Sequence, residues 1–142
     1  MMSGIRGRNT KPELQIRSAL HRLGFRFRLN VKGVPGRPDL VLPKYRAAIL
    51  VHGCFWHGHD CSYFHWPKTR QQFWRAKIIG NRRRDRRVSR ELEADGWRQF
   101  TVWECALRDT DEKNVARLAL RLARWLKGGS RRHGEMRRTR TR

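Results

Sequence analysis

Ten residues, HGCFWHGHDC at positions 52–61, bring together three histidines, two cysteines and an adjacent Phe55-Trp56 pair. Cys54-x4-His59-x-Cys61 supplies three soft or borderline metal ligands, and Cys105 could supply a fourth. Three Cys and one His form a common closed, structural zinc site. Such an ion would tie an irregular polar loop to a distant part of the chain where packing cannot. The competing reading is unrelated buried thiols, because free Cys packs as a small hydrophobe. Gly53, Gly58, His59 and Asp60, however, give Cys54 and Cys61 no apolar core to hide in. His57 and His59 compete for the nitrogen position and spacing does not separate them; His59 is taken because it leaves His57 free.

A second chemistry comes from PGRPDLVL at 35–42, which sets Asp39 directly after Pro38 at the mouth of an apolar strand. Carboxylates are depleted in such strands. Asp39 is either a polar residue still near water or a hard oxygen ligand for magnesium aimed at a phosphate. The next apolar strand ends at Val51-His52 and brings no second carboxylate or lysine. Activation of water would then fall to an imidazole, His57 or His52, which suits a general base near neutral pH. Glu13 also has two readings. Thr10-x-x-Glu13 matches a capping box, and an active-site role is compatible with it.

The elements that must position these residues follow from periodicity. TKPELQIRSALHRLG has Thr10 as N-cap, Pro12 in the first turn, and Ile16, Ala19, Leu20 and Leu23 at helical spacing before Gly24. FRFRLN alternates as a half-buried strand, and VPGRPDLVLPKYRAAILVHG reads as two apolar strands joined at Pro43-Lys44-Tyr45. Residues 69–95 are helical and strongly basic, with Gly80 a candidate break. WRQFTVWECAL is another strand, and DEKNVARLALRLARWL an amphipathic helix with Val115, Leu118, Leu122 and Trp125 on one face. This order predicts a single α/β domain, a mixed central sheet flanked by helices, over 10–127. Residues 1–9 read as a flexible basic arm, and 128–142, rich in Arg, as a disordered tail.

With 34 Lys+Arg against 12 Asp+Glu, the formal net charge is +22, which points to a polyanionic partner, above all nucleic acid. Arg is spread along the chain, unlike a membrane-binding amphipathic helix, and no apolar run reaches the roughly 20 residues that span a bilayer. The expectation is a cytoplasmic protein without a membrane partner. An odd cysteine count fits a mixed Cys/His site better than a disulfide framework.

GRPDLVL, HGCFWHGHDC, FWRAKI, RDRR, GWR and VWECAL, in that order, resemble the motifs of the very short patch repair endonucleases over roughly residues 5–126. The resemblance implies a fold similar to type II restriction endonucleases. It implies nicking of double-stranded DNA beside the thymine of a T:G mismatch left by deamination of 5-methylcytosine, with catalytic Mg2+ and structural Zn2+. It further implies a monomer associated with the nucleoid and working with mismatch-repair proteins. By position, Asp39 matches the magnesium-binding carboxylate, with the Val51 carbonyl beside it, and His57 the general base. His52 matches the residue supporting the hydrated metal and the phosphate, and Glu13 one at the edge of the active site. Cys54, His59, Cys61 and Cys105 match the zinc ligands; Phe55, Trp56 and Trp74 match the aromatics wedged into the base stack. Valine at 51 departs from a frequent threonine, and the Arg-rich tail has no counterpart role. Two alternatives stay open: a nuclease of the same fold with other mismatch or restriction specificity, and a zinc-containing DNA-binding module without catalysis. A plain core role for Phe55 and Trp56 competes with the wedge.

Overall fold

The computed structural model describes residues 10–138; the expected arm at 1–9 and residues 139–142 of the expected tail lie outside them. Helix α1 (Lys11–Arg22) is followed by β1 (Arg28–Leu29), β2 (Leu40–Leu42), β3 (Ala47–His52) and the long helix α2 (Gln71–Ala94). Then come β4 (Arg98–Trp103), a single turn α3 (Glu104–Leu107), α4 (Glu112–Gly128) and β5 (His133–Met136). The sheet order is β1-β2-β3-β4-β5. Pairing is antiparallel from β1 to β3 and parallel from β3 to β5, because only the last two connections carry helices long enough for a crossover. The mixed sheet and flanking helices are those the sequence predicts.

Period-two alternation explains why the strands read as continuous apolar runs. Leu40, Leu42, Ala47, Ile49, Phe100 and Val102 join the core with Ile16 and Leu20 of α1 and Leu118, Ala119 and Leu122 of α4. Val41 and Ala48 face the other way, onto Leu92 of α2 and Trp97. Both faces are covered, so both sets are apolar.

Five details differ from the sequence reading, the first being that Glu104–Leu107, read as the end of a strand, forms a helical turn. The strand in FRFRLN shortens to two residues, because its partner β2 is bounded by Pro38 and Pro43, and Phe25 turns into the core. Helix α2 runs unbroken through Gly80. Glycine there costs about 1 kcal/mol relative to Ala, offset by anchors at Ile78, Asn81 and Leu92. Thr10 is the N-cap of α1 but its side chain makes no capping hydrogen bond, so that half of the capping box is absent; Glu13 pairs with Arg17 instead.

The expected disordered tail at 128–142 is ordered through β5. The buried Arg98 donates to the carbonyls of Trp125 (2.5 Å), Leu126 (3.1 Å) and Arg131 (3.0 Å), tying the end of α4 to β4. Gly129, at φ +71°, then turns the chain back alongside the sheet. At Gly134 a Cβ would come within 2.5 Å of the Phe100 ring, so only glycine lets β5 approach.

Candidate active site and metal centre

One face of α2 holds the loop that follows β3. Ile78, Asn81, Arg82 and Asp85 recur at i, i+3, i+4 and i+7, and so form one ridge. The Asn81 amide donates to the Trp56 carbonyl at 2.8 Å, Arg82 donates to the Gly58 carbonyl, and the Asp85 carboxylate meets His57 Nδ1 at 2.5 Å. Gly58 lies at φ +59°, and a Cβ there would come within 2.6 Å of Ile78 and Arg82. Three consecutive loop residues are therefore fixed by a single helix.

Opposite this ridge, Asp39 stands just before β2. Its Oδ2 accepts from the Val51 backbone N–H at 2.6 Å, beyond the last β2–β3 pair, Leu40 with Ile49. A strand residue directs its N–H and C=O to the same side, so the Val51 carbonyl also faces Asp39. Burial raises the Asp39 pKa from 3.8 to about 6; the Val51 N–H opposes this and Glu13, itself buried, adds to it. The ring of His52 stacks on His57 at 3.9 Å with planes 6° apart. Burial, then the neighbouring His57, depress the His52 pKa to about 3, and its buried Nδ1 has no hydrogen-bond partner among the described residues. Glu13, Asp39, Val51, His52, His57 and Asp85 all line one open cleft of about 1270 Å³, rimmed by Arg37, Arg82, Arg84, Arg86 and Arg108. The Asp85 carboxylate accepts a hydrogen bond, so a neutral His57 paired with it carries its proton on Nδ1 and leaves Nε2 as the acceptor. A carboxylate beside a backbone carbonyl, facing an oriented imidazole within a cationic rim, is equipped for hydrolysis of a phosphodiester.

The remaining loop residues build a separate cluster. Ligand-capable atoms of Cys54, His59, Cys61 and Cys105 lie within 4.8 Å of one another, and all four residues are buried. His59 Nδ1 is 3.7 Å from Cys105 Sγ, against about 3.6 Å for a nitrogen–sulfur edge of a zinc tetrahedron built from ordinary bond lengths. Burial pushes the Cys54 thiol up, the Cys105 backbone N–H opposes this and the Cys105 and Cys61 thiols add to it, and burial pushes His59 down. Three thiols and a neutral imidazole gathered away from water fit a soft dication that would convert the thiols to thiolates. The Trp103 ring stacks on His59 at 3.8 Å. The loop histidines are thus sorted by the fold: His59 sits with the cysteines, whereas His57 and His52 sit with Asp85.

The aromatics form a third group at the cleft's edge. Phe55, Trp56 and Trp74 contact one another with ring centroids 5.3–5.9 Å apart, and none belongs to a core cluster. All three are partly exposed. The group extends through Phe64, Trp66 and Phe73, which sequence reasoning did not single out. It also missed Asp85 and Asn81. Asp85 is the lone carboxylate in the arginine-rich run NRRRDRR, and that isolation was the available signal. Nothing local marks Asn81.

Residues 1–63 match the family model described as DNA mismatch endonuclease Vsr. The chain is 44% identical over 127 residues to the Escherichia coli DNA mismatch endonuclease Vsr, covering 89% of this chain and 81% of that protein. It is 50% identical over 109 residues to the type II nicking enzyme V.XorIIP of Xanthomonas oryzae, covering 77% and 80%. Against V.NmeAIP of Neisseria meningitidis, a type II nicking enzyme, it is 44% identical over 109 residues, covering 77% and 78%. The matches reach across the cleft, the cysteine–histidine cluster and the α2 ridge, and on them the chain belongs to the Vsr family of DNA endonucleases.

Proposed function

We propose that this endonuclease nicks one DNA strand beside the thymine of a T:G mismatch, by hydrolysis in which His57 is the general base. The observation that carries the reading is His57 held by Asp85 across the cleft from Asp39 and Val51. The Asp39 carboxylate and the Val51 carbonyl would hold Mg2+; both are hard oxygen donors, and valine supplies the carbonyl as well as threonine would. When bound there, Mg2+ supplies Lewis-acid polarisation of a phosphate oxygen. His57 Nε2 takes a proton from the attacking water, and Asp85 fixes the ring's tautomer and stabilises the imidazolium that results. His52, kept neutral by burial, is available to hydrogen-bond the phosphate without adding charge near Asp39. Glu13 closes the inner edge of the cleft and helps keep the Asp39 proton affinity high until a cation arrives.

Cys54, His59, Cys61 and Cys105 would hold Zn2+, which fixes the loop presenting His57. Phe55, Trp56 and Trp74 would wedge into the base stack. Unstacking costs a few kcal/mol per step and least at a mismatch, so deformability favours the damaged site. The net charge of +22 supplies affinity for the backbone, and the place of action would be the nucleoid, alongside other mismatch-repair proteins. The test is His57→Ala, which removes the base and none of the cysteine-cluster ligands. Nicking should be lost while mismatched duplex is still bound and the zinc content is unchanged; nicking at the normal rate would remove His57 from the mechanism.

A further inference from the structure

The arginine-rich C-terminus, which the catalytic reading leaves unused, meets the cysteine–histidine cluster. Parallel pairing sets Met136 of β5 against Val102 of β4. The chain beyond Met136 therefore leaves the sheet level with Cys105, three residues beyond Val102. There the Arg138 backbone N–H donates to Cys105 Sγ at 3.4 Å. The Arg138 guanidinium donates to the Tyr63 hydroxyl at 2.6 Å and to the Arg108 carbonyl at 2.5 Å, while Arg137 donates to the Asp60 carbonyl at 2.5 Å. The guanidiniums of Arg108 and Arg138 both lie over the Tyr63 ring, at 4.4 and 5.4 Å.

These contacts bridge the two halves of the cluster. Asp60 and Tyr63 flank Cys61 in the loop, whereas Cys105 and Arg108 belong to the segment after β4. Gathering like charges on one tyrosine is unfavourable around a neutral thiol cluster. Around a dication it is favourable, because three thiolates and a neutral imidazole leave one net negative charge, which the arginines and the N–H offset.

We propose that Arg137 and Arg138 form a clasp over the metal centre, with the Arg138 N–H as an outer-sphere donor to the Cys105 thiolate, and that this clasp sets how tightly the metal is retained. The proposal rests on the cluster holding zinc. Outer-sphere partners of metal ligands typically contribute 10- to 100-fold in metal affinity.

The test is zinc transfer from the purified full-length protein to a chromogenic chelator under native conditions. The double variant Arg137→Ala/Arg138→Ala should release zinc about 10- to 100-fold faster than the unmodified protein. Arg138→Lys, which keeps the charge and loses the forked contacts, should fall between. Arg132→Ala, an exposed tail arginine whose carbonyl pairs with Gln99 at the start of β4, the opposite end of that strand from Cys105, should release at the normal rate. Circular dichroism in excess zinc should show the variants folded, so that a changed rate reports on retention. Release from the double variant at the unmodified rate would overturn the clasp while leaving the zinc reading intact. Purified protein carrying no stoichiometric zinc, with Cys105→Ser indistinguishable from it, would overturn both.

Discussion

Replacing Asp39 with Asn separates what its buried carboxylate costs the fold from what it does in the cleft. Burial raises this carboxyl from 3.8 to about 6, against the Val51 N–H and with help from Glu13. A rise of about two units corresponds to about 3 kcal/mol. Because the folded pKa is the higher one, the protonated form is favoured in the fold. The stabilisation is fully present below 3.8 and is lost as pH rises through about 6. Asparagine is uncharged throughout, nearly the same volume, and keeps an oxygen for the Val51 N–H. In magnesium-free buffer with zinc left in place, Asp39→Asn should therefore be about 2–3 kcal/mol more stable than the unmodified protein at pH 8, and only about 1 kcal/mol more stable at pH 4.5. Urea unfolding of both proteins at each pH gives the difference directly, with the proton dependence of other groups cancelling. Adding Mg2+ should stabilise only the protein that retains Asp39, and that protein alone should nick DNA. Equal stability at pH 8, or a difference that does not shrink on acidification, would refute the assignment of Asp39 as a carboxylate held against its own solvation.

Three further substitutions probe the loop and the helix that holds it. Asp85→Asn presents an amide N–H to His57 Nδ1 and favours the wrong tautomer, so single-turnover nicking should fall by about 100- to 10,000-fold with duplex affinity unchanged; nicking at the unmodified rate would exclude Asp85 from the chemistry. Trp56→Ala and Trp74→Ala should lower the preference for mismatched over matched duplex in competition binding, whereas an equal loss on both duplexes would return these rings to a packing role.

What the sequence made legible was what periodicity and residue chemistry encode locally. Uninterrupted apolar runs at 40–42 and 47–51 specify strands covered on both faces, and the spacing of Cys54, His59 and Cys61 marks a candidate ligand set within one loop. What it hid depends on tertiary placement. Asp85 gains meaning only because α2 stays helical through Gly80 and turns its 78-81-82-85 ridge toward the loop. β5 forms although HGEM has little strand character, because Arg98 gathers the carbonyls at the end of α4 and Gly134 fits under Phe100. The tail arginines read as solvated charge in a disordered segment. Arg137 and Arg138 are instead spent on Asp60, Tyr63 and Arg108, contacts some 30–77 residues away in sequence.

In the proposed function the cleft between Asp39 and the His57–Asp85 pair cuts one strand of mismatched DNA. The most direct measurement is cleavage of duplexes carrying a different label on each strand, in Mg2+, comparing T:G, G:G and fully paired centres within a library of randomised flanks. The expected result is a single cut beside the thymine of T:G in a subset of flanks, the opposite strand intact, and no cut without Mg2+. Cleavage of fully paired duplex at the same rate, or cutting of both strands together, would contradict it.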